Sequence, residues 1–125
     1  MTIFEENLTL NCRAADYNFG KLDEDTLQFL INPQNSRVLL NYLRSTCGTA
    51  SPYAPTFDEN KTPSKLILRK KVLNMVYDLS QINQYGTFLI KELPDEMLGM
   101  LSDNLQMAKD WCIREDASHS AESSF

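Results

Sequence analysis

Residues 62–86 read TPSKLILRKKVLNMVYDLSQINQYG. Leu68, Val72, Met75, Leu79 and Ile82 recur at spacings of four and three, so a helix here would carry one continuous apolar stripe. Thr62 suits an N-cap. Pro63 suits a first turn, where its missing N–H goes unused, and Gly86 can take the left-handed conformation that stops a helix. The stretch predicts one long amphipathic helix bounded at both ends. A single apolar face has to be covered by other elements, so the flanking sequence should supply them.

On the C-terminal side, Pro94, Asp95 and Glu96 place a proline and two acids where a first helical turn favours them. Leu98, Leu101, Leu105, Ala108 and Cys112 follow as a second stripe, flanked by Met97, Met100, Met107 and Trp111. Between the two stripes, TFLIKEL (residues 87–93) is a dense apolar run. It reads as a connector buried against the bundle, with a short strand as the alternative.

On the N-terminal side, Asn18-Phe19-Gly20 breaks the chain. Asp23, Glu24 and Asp25 then precede Leu27, Phe29, Leu30 and Ile31, which predicts a cap and first-turn acids at the start of a short helix rather than a metal or acid–base site. Asn32-Pro33 ends that helix and opens another, with Val38, Leu39, Tyr42 and Leu43 in helical period up to Gly48. Residues 3–12 fit no period for long enough to assign and read as an irregular arm. If they paired as an edge strand with 87–93, the class would become α+β. The expectation is an all-α fold: one compact domain over residues 1–115, a bundle of four or five helices with an N-terminal arm, and a disordered tail over 116–125.

The chain has 125 residues, 42% of them hydrophobic, which suits one domain with a real core. Seventeen acidic against twelve basic residues give a net charge of −5, which opposes general attraction to nucleic acid or anionic membrane. Cys12, Cys47 and Cys112 are odd in number and far apart, so they read as reduced thiols rather than a disulfide framework or zinc pairs. No secretory leader pattern opens the chain and no apolar run approaches about 18 residues. An intracellular, most simply cytoplasmic, location is expected. Asn7-Leu8-Thr9 and Asn60-Lys61-Thr62 match the glycosylation pattern only formally in that setting.

Catalytic signatures are missing. The one histidine, His119, falls in the polar tail, where nothing orients it as a base, and a zinc set from Cys12, Cys47, Cys112 and His119 lacks any specific spacing. Neither GxxxxGK[ST] nor GxGxxG occurs. No catalytic, cofactor-binding or metal residues are therefore nominated, and no cofactor is expected.

Two features remain as candidates for binding. Lys61, Lys65, Arg69, Lys70 and Lys71 concentrate five of the twelve basic residues within eleven positions; on a helix the first three would share one side and could track phosphates or an acidic partner. The alternative is a solvated face whose charges meet acidic neighbours. Residues 48–61 form a long loop in which Tyr53 and Phe57 are either recognition residues or, more in keeping with such loops, pegs that fasten it to the core. Met75, Met97, Met100 and Met107 suit core filling, with a partner groove as the minor alternative. Thr62-Pro63-Ser64-Lys65 also has the form that proline-directed kinases accept.

The function these features predict is a small protein–protein interaction module, an adaptor, inhibitor or regulatory subunit, that binds its partner through a helix face or the 48–61 loop. Nucleic-acid binding through the basic start of the long helix is the alternative, and a carboxylate-dependent enzyme is the third reading.

Overall fold

The computed structural model describes residues 3–46, 51–54, 56–92, 99, 102–107, 109, 110 and 113. These residues fold as an all-α bundle of α1 (Ile3–Asn11), a single 3-10 turn (Ala14–Asp16), α2 (Glu24–Ile31), α3 (Pro33–Thr46), α4 (Ser64–Ser80) and α5 (Asn83–Glu92). Residues 102–107 are helical too, and no strand occurs among the described residues. None of their helices is long and apolar enough to cross a membrane.

The bundle is built around α4. Leu68, Val72, Met75 and Leu79 are buried as their stripe requires, but so are Arg69, Lys70, Leu73, Asn74 and Val76. The middle of α4 is thus covered on most of its circumference. It is a central helix rather than the amphipathic one its stripe predicts. The same core takes in Leu8 from α1, Leu30 from α2 and Leu39 from α3. α1 and α2 pack on α3, while the 3-10 turn and α5 pack on α4.

Both ends of α4 depart from the expectation. Pro63, extended at φ −56° and ψ 145°, holds the N-cap position with no side-chain bond to the helix. Thr62 instead closes the preceding turn: its hydroxyl donates to the Asp58 carbonyl and accepts from the Asp58 N–H at 3.2 Å. At the far end the helix stops at Ser80 rather than Gly86. The N–H groups of Gln81 and Ile82 bond back to the carbonyls of Asp78 and Leu79 at 3.2 and 3.0 Å, tightening the last turn. Those of Tyr85 and Gly86 then bond to the Ile82 carbonyl, both at 3.0 Å, and start α5. Gly86 therefore lies inside a helix. The connector expected over residues 87–93 is helical through Glu92, because a short apolar run has too few periods to separate helix from extended chain.

The N-terminal arm is also a helix. Leu8 and Cys12 are buried and Phe4 half-buried at a spacing of four, while Ile3 and Leu10 are each 79% exposed. The alternation of Leu8, Leu10 and Cys12 thus mixes one outward residue with two inward ones, and the strand it suggests does not form. Phe4 stacks on Tyr42 with ring centroids 6.3 Å apart. The chain leaves α1 through Arg13 in the left-handed region (φ 56°), with its guanidinium 4.9 Å from the Phe29 ring centre, a favourable cation–π contact.

Of the second stripe, Leu105 packs half-buried against the core and Met107 is exposed. Pro94, Asp95, Glu96, Met97, Leu98, Met100, Leu101, Ala108, Trp111 and Cys112 lie outside the described residues, as do Cys47, Gly48, His119 and the stretch 116–125.

Candidate functional site

The nominated loop aromatics are pegs. Tyr53 is buried, and its phenol donates to the Lys70 carbonyl at 3.3 Å and to Asn74 Oδ1. Phe57 is half-buried, with Lys70 Nζ 5.1 Å from its ring centre. Lys70 Nζ also pairs with Glu59 Oε1 at 2.8 Å, and this hydrogen bond holds the Glu59 carboxyl below its ordinary pKa against the opposing effect of burial. The segment before α4 is therefore strapped to that helix by aromatic and ionic contacts to one buried lysine.

This arrangement dismantles the basic strip. Arg69 is buried, with Nη2 3.5 Å from Asn104 Oδ1, and Lys71 donates to Asn18 Oδ1. Lys61 sits in the turn before α4, not on it, so Lys61, Lys65 and Arg69 do not form one helical face. Lys61 and Lys65 are the exposed members of the five. The charges mostly serve internal contacts, which a spacing argument cannot foresee.

The acids before α2 act as the capping reading expects. Asp23 Oδ1 accepts the Thr26 N–H at 2.7 Å, and that backbone hydrogen bond holds the carboxyl below its usual pKa. Among the described residues, no three His, Cys, Asp or Glu side chains gather into a metal-holding group. Cys12 is a free, buried thiol 3.4 Å from the Asn35 carbonyl, and burial pushes its pKa up to about 11.

Among the described residues there is also a concavity that the sequence reading did not nominate. It begins at the α2–α3 joint, where Asn35 Nδ2 donates to the Phe29 carbonyl at 2.8 Å and Ser36 Oγ donates to the Leu30 carbonyl. These are carbonyls that the end of α2 would otherwise leave unpaired. Two side chains of α3 thus fix the angle at which α2 leaves, and Asn32 Oδ1 adds a bond from the Gln34 N–H at 3.0 Å. The V of α2 and α3 is closed on its third side by the α4–α5 corner, leaving a groove of about 680 Å³.

Its apolar lining comes from Leu27, Ile31, Leu40 and Ile82; Ile31 is 48% exposed. Ser36 and the buried Tyr85 give it a polar spot. Burial pushes the Tyr85 phenol pKa up while the neighbouring Ser36 side chain pulls the other way. On the α3 rim stand Arg37 and Arg44, both exposed, and Glu92 stands on the α5 rim. Arg44 Nη2 donates to the Glu92 carbonyl at 3.0 Å, tying the end of α5 to α3. The recurrence of Arg37, Leu40 and Arg44 at spacings of three and four was a readable signal for a second face of α3. It is overshadowed by the stronger core pattern of Leu39, Tyr42 and Leu43.

Comparison with protein-family models, with curated proteins and with solved structures gives no match.

Proposed function

We propose that this protein is an interaction module, an adaptor, inhibitor or regulatory subunit, that holds a helical segment of another protein in the groove between α2, α3 and α5. The observation behind the proposal is the groove itself: an open apolar trough on a chain of net charge −5, with two exposed arginines on one rim. Helix-walled grooves of this kind suit the apolar face of a partner helix, and positively charged rims favour an acidic one. Of the two surfaces considered from sequence, a helix face has this support; the 48–61 loop uses Tyr53 for an internal contact.

The nucleic-acid alternative would rest on Lys61 and Lys65, since Arg69 and Lys70 are buried. Tagged full-length protein recovered from its host separates the two. The proposal expects a stoichiometric protein partner that is lost with Ile31→Asp and kept with Lys61→Gln/Lys65→Gln. Loss with the lysine pair and retention with Ile31→Asp would overturn it.

A further inference from the structure

We infer that the occupant of this groove is an amphipathic partner helix with carboxylates seven positions apart along one edge of its apolar face, paired with Arg37 and Arg44. The inference rests on the groove reading above and adds the chemistry of the partner.

Length comes first. The α3 wall runs from Pro33 to Arg44, which at 1.5 Å per residue is about 16 Å, or about three turns of helix. All its walls are helices, whose side-chain ridges leave grooves that accept the ridge of another helix. A segment of about three turns would offer apolar side chains at i, i+3 or i+4, and i+7. Those side chains would cover Ile31, Leu27 and Ile82 and remove the exposed part of Ile31 from water.

Charge then selects the partner. Arg37 and Arg44 are seven residues apart on one helix, so their attachment points lie about 10 Å apart along its axis. A partner helix repeats with the same rise, so carboxylates at its own i and i+7 positions meet both guanidinium groups in register. The Arg37 guanidinium offers a planar fork that matches a carboxylate, while Arg44, whose Nη1 donates to Asn41 Oδ1 at 3.4 Å and Nη2 to the Glu92 carbonyl at 3.0 Å, has its remaining N–H donors for the second. The bond from Arg44 to the Glu92 carbonyl holds that side chain beside the groove before any partner arrives. Among the described residues Arg37 has no acidic partner within ion-pair distance.

Glu92 stands on the α5 side where Arg44 ties the two rims together, and its carboxylate repels a second acidic edge there. The partner is therefore asymmetric: acidic over α3, and neutral or basic over α5. Mismatched charge at such a rim is what excludes wrong partners. A small apolar acid would engage one arginine, and a nucleic-acid backbone would leave the apolar floor uncovered.

The test is a selection from a display library of 18-residue helical peptides, with an apolar stripe and randomised flanking positions, on the full-length chain. Wild type, Ile31→Asp, Arg37→Glu and Arg37→Glu/Arg44→Glu are the targets; circular dichroism checks that each is folded, and the single Arg37→Glu variant leaves the Arg44–Glu92 contact in place. Wild type should select Asp or Glu seven positions apart, and those peptides should weaken by about tenfold or more on Arg37→Glu. The double variant should select Lys or Arg at the same positions. If peptides lost on Ile31→Asp show no acidic preference, the inference fails and the groove reading stands. If no peptide is selected, or those selected bind Ile31→Asp as well as wild type, both fail.

Discussion

Lys70 and Glu59 form an ion pair of 2.8 Å in which the lysine side chain is 6% exposed and the carboxylate side chain 48%. The pair converts the centre of the most basic stretch of the chain into an internal fastening, with Phe57 against the same ammonium group. Removing the carboxylate leaves a buried ammonium ion short of its anionic partner. Glu59→Gln should lower stability by about 1–3 kcal/mol, between the values for exposed and buried pairs.

The same pair sets a pH dependence with a defined sign. The folded pKa of Glu59 is below its ordinary value of 4.5, mainly through the hydrogen bond from Lys70. Its stabilisation is present above that ordinary value and is lost as pH falls through the folded one. Denaturant titrations between about pH 7 and pH 3 should show a smaller acid loss for Glu59→Gln than for wild type. Parallel profiles would remove the pair from the acid response.

Gly86 and Gly20 should respond in opposite directions to alanine. Gly86 lies in α5, and a Cβ there would be 3.4 Å from the Ser80 carbonyl oxygen, an ordinary contact. Gly86→Ala should therefore gain up to about 1 kcal/mol from helix propensity. Gly20 has φ +76° and donates its N–H to Asp78 Oδ2 at 3.0 Å, so Gly20→Ala should cost about 1–2 kcal/mol. Thermal melts decide it; a destabilised Gly86→Ala would restore the helix stop that the sequence suggests at that position.

Burial separates leucines that look alike in the sequence. Leu79 is fully buried and Leu10 is 79% exposed on α1. Leu79→Ala should cost about 2–5 kcal/mol and Leu10→Ala less than about 0.5, read from denaturant midpoints at unchanged m. Equal losses would contradict the inward face of α1 described by Phe4, Leu8 and Cys12.

Elements with both a local signal and a sustained period were legible: α2 from Asp23 and its following acids, α3 from Asn32-Pro33 and the Leu39–Leu43 pattern, and the body of α4 from its stripe. What escaped depends on contacts between distant residues. The break at Gln81–Ile82 carries neither glycine nor proline, so the stripe runs through it unbroken. α1 spans nine residues, too few for Leu8 and Cys12 to outweigh the misleading Leu10. The groove is set by Asn35 and Ser36 bonding to carbonyls of α2, and such bonds leave no periodic trace. The internal contacts within the basic stretch left no trace for the same reason: Lys70 meets Glu59, Lys71 meets Asn18 and Arg69 meets Asn104.

With Arg69 and Lys70 buried, the basic stretch keeps only Lys61 and Lys65 exposed to release counterions from a nucleic acid. Binding to single-stranded RNA or duplex DNA at about 150 mM salt should be weaker than micromolar. The residual affinity at low salt should lose at most about two units of log–log slope on Lys61→Gln/Lys65→Gln. Micromolar binding removed by that pair would promote the nucleic-acid reading.

Amide chemical shifts of the full-length chain, recorded with and without a selected helical peptide, test the partner site most directly. Binding in the groove predicts the largest shifts at Ile31, Ser36, Arg37, Leu40, Arg44 and Tyr85, with little change at Tyr53, Phe57 or Lys65. Shifts centred on residues 51–65, with the groove unmoved, would contradict it.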